Sequence, residues 1–195
     1  MLTQNEALNL YKKRNAYLKG HFKLSSGLHS EYYMQSAMVL QYPHDAYKLC
    51  SSIAEHFKDK KIDTVIAPAM GGVLVSYDVA RALGENVKSI FAERVDGKLT
   101  LRRGFRIEKT DNVLIVEDVI TTGKSVNETI DLVRTYTDNI VGIGVLADRG
   151  GNFDSKGLDY FPLIKLDIVN YEPDSCPLCK QGVPLEKPGS RFIKK

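Results

Sequence analysis

Between Ile62 and Asp148 the chain alternates short apolar runs with amphipathic stretches, and this rhythm restricts its fold more than any other feature. The segments "IDTVIAP", "VKSIFAE", "VLIVED" and "IVGIGVLAD" read as buried strands. Between them, "VLVSYDVARAL", stopped by Gly84, and "GKSVNETIDLVRTY" read as helices, while Gly71-Gly72 reads as a turn. Strands alternating with helices predict an α/β fold, with a mostly parallel central sheet flanked by helices on both faces. In such sheets ligands gather beyond the carboxyl ends of the strands.

The amino-terminal part follows a different pattern. Thr3 and Glu6 form a capping-box signature, followed by apolar Leu10, Tyr17 and Leu18 and then Gly20, which predicts a helix over residues 3–19. The stretch "HFKLSSGLHSEYY" reads as a turn between short strands. Pro43 opens a second helix, with Tyr47, Cys50, Ile53 and Phe57 expected on one face. The tail from Pro173 is rich in Pro, Gly and Lys and is expected to wrap the surface. With 195 residues, a single domain over 1–195 is expected.

The chain is 43% hydrophobic and 26% charged, an ordinary balance for a soluble protein. Its net charge of +3 is too small to argue for a nucleic-acid partner. The polar start "MLTQNEALNLYKKRN" lacks the apolar core of a signal peptide, and no apolar run approaches the roughly 18 residues of a membrane span. Three cysteines, Cys50, Cys176 and Cys179, make no disulfide framework, so a reduced, cytoplasmic protein without membrane contact is expected.

Four loops stand where strands should end: "PAMGG" (68–72), "RVDGKLTLRRG" (94–104), "EDVITTGKS" (117–125) and "DRGG" (148–151). The third resembles a phosphate-binding P-loop, but Asp118 stands where that motif needs its first glycine. Thr121, Thr122, Gly123 and Ser125 lead into a helix, whose first N–H groups together with these hydroxyls make a monophosphate cradle. The plainer reading is a strand-turn-helix with Thr122 or Ser125 as N-cap. Carboxylates accept hydrogen bonds from vicinal hydroxyls, so an acid pair fused to a phosphate cradle fits a ribose 5-phosphate. The plain reading of "PAMGG" is a strand-to-helix turn. The cations at 94–104 read plainly as a solvated face, and Arg149 reads plainly as a salt-bridge partner of Asp148 or of a helix.

"VLIVEDVITTGKS" resembles the phosphoribosyl pyrophosphate (PRPP) signature of the type I phosphoribosyltransferases. Together with "FKLSSGLHSEYY", "FAERVDGKLTLRRGFRI", "GVLADRGG" and "CPLCKQGVPLEKPGS", it resembles the orotate phosphoribosyltransferase family over nearly the full length. That resemblance implies the type I phosphoribosyltransferase fold, with residues 1–42 and the tail forming a small hood over the base site. It implies Mg-dependent transfer of phosphoribose from PRPP to orotate, a step of pyrimidine synthesis. The alternatives are a purine or xanthine phosphoribosyltransferase, or a PRPP-sensing regulator.

The resemblance also assigns roles. Glu117 and Asp118 would hold the ribose hydroxyls, and Val119, Ile120, Thr121, Thr122, Gly123, Lys124 and Ser125 would complete the PRPP loop. Met70, Gly71 and Gly72 would offer backbone to pyrophosphate. Mg2+ would be held through PRPP, supported by Glu117 and Asp118 and with no direct protein ligand. The 94–104 segment would be a mobile lid, contributed across a homodimer, with Lys98, Arg94 and Arg102 as its catalytic cations beside Asp118. Thr121, Arg149, Tyr32 and Tyr33 would meet orotate.

Two departures stand out. No histidine lies between residues 91 and 110, so the lid lacks one as proton donor. In "KLSSG" the place before Ser-Gly, where relatives carry lysine, is Ser25, and the lysine is Lys23. Cys176-x-x-Cys179 is half of a zinc site, but a structural zinc wants four ligands and the chain offers no second pair or nearby histidine, so tail packing is expected over a site shared across a dimer. His21 and His29 flank the amino-terminal turn, a position from which they could face the active site. His44 and His56 are expected to be solvated.

Overall fold

The computed structural model describes residues 1–24, 26–151 and 153–188. From the amino end, α1 (Gln4–Lys13) leads into an antiparallel pair, β1 (Tyr17–Lys23) and β2 (His29–Met34). The short α2 (Ala37–Leu40) and the long α3 (Pro43–Phe57) follow. Next come β3 (Thr64–Pro68), α4 (Gly71–Leu83), β4 (Lys88–Val95), β5 (Lys98–Leu101), β6 (Val113–Ile120), α5 (Lys124–Arg134), β7 (Ile140–Asp148) and β8 (Tyr160–Lys165). The tail adds β9 (Asn170–Tyr171), a 3-10 turn at Pro173–Ser175 and α6 (Pro177–Lys180).

The main sheet has the order β5-β4-β3-β6-β7-β8, parallel throughout except for edge strand β5. Strand alternation splits its side chains between two cores. Val65, Leu114, Val116 and Leu146 join α1, α3 and α4 in one. Ile66, Val113, Ile115, Ile143 and Val145 face Val126, Ile130 and Val133 of α5 in the other. Burying each of these side chains is worth roughly 1.5–3 kcal/mol, which fixes helices to both faces. A smaller sheet, ordered β1-β2-β9, brings the tail back to the amino-terminal hairpin.

The strands arise where the apolar runs predict them, but several boundaries differ. Helix α1 has its capping box, with Thr3 Oγ1 accepting from Glu6 N (3.3 Å) and Glu6 Oε2 accepting from Thr3 N (2.8 Å). It ends at Lys13 rather than residue 19, because Asn15 adopts φ 52° and the chain turns into β1, so Gly20 lies in a strand. Gly71 and Gly72 are the first turn of α4 rather than a separate turn. Tyr47 is exposed while Cys50, Ile53 and Phe57 are buried, so the core face of α3 excludes it. His56 is exposed, as expected, and its ring also stacks on Phe161 (4.2 Å between centroids) and contacts Asp159 (3.2 Å). No helix among the described residues is long and apolar enough to cross a membrane.

Candidate active site

Strand β6 carries Glu117 and Asp118 to the carboxyl end of the sheet, where they meet the first turn of α4. A Cβ at Gly71 would lie 2.5 Å from Asp118 Oδ1, and one at Gly72 would lie 2.6 Å from the Ala67 Cβ and 3.2 Å from Glu117 Oε1. Only glycines let the helix approach the acids this closely, so the two loops form one wall. The preceding Ala69–Met70 peptide is cis, and Met70 is exposed.

Neither acid has an ion pair among the described residues; Glu117 Oε1 accepts only from Asp118 N (3.1 Å). Burial pushes the Glu117 carboxyl well above its usual range, and the neighbouring Asp118 charge adds to this. Burial raises Asp118 too. Two carboxylates without cations, facing a cleft, suit sugar hydroxyls and the neighbourhood of a divalent cation.

The chain then turns over residues 121–125 into α5. Gly123 occupies the N-cap position at φ 73°, and no side chain caps the helix, which overturns Thr122 or Ser125 as N-cap. A Cβ at Gly123 would lie 2.0 Å from Phe153 Cδ2, so both the left-handed backbone and the Phe153 ring require glycine. The hydroxyls of Thr121, Thr122 and Ser125 make no hydrogen bond among the described residues. A pocket is lined by Glu117 and Val119 through Val126. Uncapped N–H groups at a helix start, with hydroxyls around them, form an anion site.

Strand β7 runs beside β6 with Ile120 opposite Asp148, and Arg149 N donates to Ile120 O (3.0 Å). The "DRGG" turn therefore lies against the 121–125 loop. Gly151, at φ 127°, has Thr121 O only 2.4 Å from where a Cβ would stand. Arg149 is 6% exposed, and its Nη2 donates to Tyr32 O (2.9 Å) and weakly to Ser30 Oγ (3.5 Å) in β2. Its Nε has no partner, and no carboxylate among the described residues pairs with it. Burial lowers its pKa. The salt bridge to Asp148 does not form, because Asp148 accepts instead from Gly150 N (2.9 Å) and Tyr160 OH (2.8 Å).

The 94–104 segment is not an open loop but the tip and second arm of the β4–β5 hairpin, with Arg94 opposite Leu99 and Val95 opposite Lys98. Arg94 pairs with Glu128 on α5, and Arg103 pairs with Glu93 at 2.8 and 2.9 Å. Lys98 and Arg102 are exposed and have no ion pair among the described residues. In the sheet, β4 and β3 stand between this hairpin's edge strand and the acid pair on β6.

The structure thus brings together Glu117, Asp118, Val119 to Ser125, Gly71, Gly72, Arg149 and the backbone of Tyr32. The Tyr33 hydroxyl turns to Gln35 (2.9 Å). Arg94, Lys98 and Arg102 stand apart on the hairpin. Ser25 lies outside the described residues, as do residues 189–195 of the tail. Sequence reasoning missed Ser30, which meets Arg149 and lies within "FKLSSGLHSEYY" without a role assigned to it, and Phe153, which covers Gly123 and lies outside the quoted motifs. It also missed where His21 and His29 go. They turn away from the acids onto Cys176 and Cys179, so the two cysteines do have histidines beside them.

A mostly parallel sheet whose central strand ends in an acid pair and an uncapped Thr-Thr-Gly-Lys-Ser turn defines the phosphoribosyltransferase class, and the model of the phosphoribosyl transferase domain matches residues 38–174. An orotate phosphoribosyltransferase of Caldicellulosiruptor bescii is 50% identical over 97% of this chain and 99% of its own. One from Desulforamulus reducens is 48% identical over 98% of this chain and 100% of its own. The chain belongs to the phosphoribosyltransferase family, in its orotate phosphoribosyltransferase branch. Solved structures share the fold. Orotate phosphoribosyltransferase of Aeropyrum pernix superposes with TM-score 0.66 at 24% identity, covering 81% of this chain and 92% of that one. The Mycobacterium tuberculosis enzyme in complex with PRPP gives 0.65 at 17%, covering 85% and 92%.

Proposed function

We propose that this enzyme transfers phosphoribose from PRPP to orotate, giving orotidine 5′-monophosphate and pyrophosphate. The observation that carries the acceptor assignment is Arg149, a buried cation without a carboxylate partner and with a free Nε, beside the 121–125 loop. A planar guanidinium recognises a carboxylate through paired hydrogen bonds, and orotate is a base that carries one. Tyr32 and Tyr33 form the wall behind it, and Thr121 completes the base contact. Residues 1–42 and the tail form a hood over this site, a reading supported by the Arg149 bonds to β2.

The geometry supports these residue roles. Residues 121–125 hold the 5-phosphate, Glu117 and Asp118 accept from the ribose hydroxyls, and the start of α4 offers N–H groups to pyrophosphate. The unpaired carboxylates are hard oxygen donors that fit Mg2+ held through PRPP. Bound magnesium supplies charge neutralisation to the pyrophosphate. A ring nitrogen of orotate attacks the anomeric carbon as that carbon's bond to the pyrophosphate oxygen breaks, and the proton of the nitrogen passes to the departing pyrophosphate or to solvent. Lys98, Arg94 and Arg102 stabilise the charge growing on the leaving group, and cations brought there only on closure favour the transition state over the ground state.

The hairpin serves a neighbouring subunit of a homodimer. Support comes from the exposed apolar stripe of Met70, just before α4, with Leu74 and Tyr77 on it, a surface suited to a second copy.

The decisive assay supplies Mg2+, PRPP and one of orotate, uracil, hypoxanthine or xanthine, and follows pyrophosphate release. Release with orotate alone is expected. Release with a purine but not orotate defeats the acceptor assignment, and release with none favours a PRPP-binding regulator. Arg149→Ala should raise KM for orotate by about 100-fold, in line with a lost charged contact of roughly 3 kcal/mol, while PRPP affinity stays within about threefold. An unchanged orotate KM removes Arg149 from the base site.

A further inference from the structure

Away from the acid pair, four side chains from two distant parts of the chain converge. His21 comes from β1 and His29 from β2, while Cys176 precedes α6 and Cys179 lies within it. One ligand-type atom from each lies within 4.8 Å of all the others. His21 Nε2 is 3.1 Å from His29 Nδ1, 3.5 Å from Cys176 Sγ and 3.7 Å from Cys179 Sγ, and His29 Nδ1 is 3.3 Å from Cys179 Sγ. Zn–N bonds of about 2.0–2.1 Å and Zn–S bonds of about 2.3 Å in a tetrahedron put nitrogens about 3.4 Å apart and nitrogen about 3.6 Å from sulfur. The spacings lie within about 0.3 Å of these values. Three of the four residues are buried: His21 at 2%, His29 at 4% and Cys176 at 1% exposure.

The surroundings orient the ligands. Val183 O can only accept, so His21 donates from Nδ1 to it (2.8 Å) and turns the Nε2 lone pair toward the two sulfurs and His29. Such a hydrogen bond on the far nitrogen fixes the tautomer of a metal-binding imidazole. Three neighbours crowd that one lone pair, which a single hydrogen bond does not satisfy but a shared cation does. A bulge between Lys19 and Phe22 in β1 sets His21, and Lys23 pairs with His29 across the hairpin. The two cysteines are supplied from a turn in which Lys180 N donates to Cys176 O (3.3 Å) and Gly182 N to Cys179 O (3.0 Å).

We propose that His21, His29, Cys176 and Cys179 form a structural Zn2+ site that staples the carboxyl-terminal tail to the β1–β2 hairpin. Four protein ligands close the coordination sphere, so the ion holds structure rather than activating water. The tail already meets the hairpin there, through Lys23 N to Glu186 O (2.8 Å) and Glu186 N to His21 O (2.8 Å). His29 adjoins Ser30, whose hydroxyl contacts Arg149, so the staple also steadies one of the groups that hold the buried arginine. The proposal stands whichever base the enzyme accepts.

The test is elemental analysis of the full-length protein, produced with zinc in the medium, purified under reducing conditions without chelator and dialysed against metal-free buffer. About one zinc per chain is expected, falling about tenfold in Cys176→Ser/Cys179→Ser and in His21→Ala. Cys50→Ser, in the α3 core, should keep the full content. Because loss of a ligand can unfold the hood, the unmutated chain is also exchanged with Co2+. Intense visible bands of a tetrahedral, thiolate-bound cobalt support the site. A parent protein with neither zinc nor those bands overturns it, as does zinc that persists undiminished in well-folded variants.

Discussion

At the scale of single residues, the acid pair sets a conflict between folding and binding. Glu117 is buried with no cation paired to it among the described residues, and burial, reinforced by Asp118, raises its pKa. An acid whose folded-state pKa is raised contributes stability that is whole below its unfolded value and is lost as pH rises through the folded one. The ligand-free enzyme should therefore become less stable as pH rises from the ordinary carboxylate range toward neutrality. Glu117→Gln should have a higher Tm than the parent at neutral pH and an equal one in acid, while binding PRPP more weakly. Thermal melts across pH with and without PRPP and Mg2+ check this; a parent and variant with parallel profiles would refute it. Both acids were legible in the sequence, because carboxylates next to a Thr-Thr-Gly-Lys-Ser turn have few purposes. Phe153 and Ser30 were not, because their parts come from contacts across loops rather than from neighbours in the chain.

At the scale of elements, the β4–β5 hairpin differs most from its expected form. Residues 94–104 read as a loop because four cations and a glycine interrupt the apolar pattern, yet cross-strand pairing from Ala92–Leu101 to Val95–Lys98 makes a strand of half of it. The turn itself needs Asp96 at φ 47° and Gly97 at φ 81°, a left-handed pair favoured in two-residue hairpins. Helix α1 was misjudged for a related reason: the apolar residues after Lys13 keep an ambiguous spacing, and only Asn15 in the left-handed region marks the break. The alternating core strands were read correctly because burial on both faces leaves an unbroken apolar signature. The exposed Lys98 beside the hairpin tip, without an ion pair among the described residues, should act on the leaving group rather than on substrate capture. Lys98→Ala is expected to lower kcat about 100-fold, with the PRPP dissociation constant changed less than about threefold. Single-turnover rates beside equilibrium titration separate the two, and a lost affinity with unchanged turnover would contradict the lid role.

At the scale of the whole molecule, two strands separate the hairpin's edge strand from its own acid pair, and the Met70, Leu74 and Tyr77 stripe faces outward. Both features suit a dimer in which each lid serves the other site. Leu74→Arg should shift the protein to monomer in sedimentation analysis and lower its activity at least about tenfold. Mixing inactive Lys98→Ala with inactive Glu117→Gln should regain about a quarter of parental activity, since half of the dimers carry one intact composite site. No recovery after verified subunit exchange would place each lid over its own subunit's site.

The contact between Gly151 and Thr121 has a consequence for how such enzymes diversify. With the carbonyl of one turn occupying the space of the other's missing side chain, neither segment can be regrafted alone. A designer seeking a new acceptor base would have to transplant both turns as one cassette, or leave the backbone untouched and recode only the side chain at position 149 and its holders in β2. On the roles proposed above, acceptor choice can change by point substitution at position 149, while the 121–125 and 148–151 turns must change together.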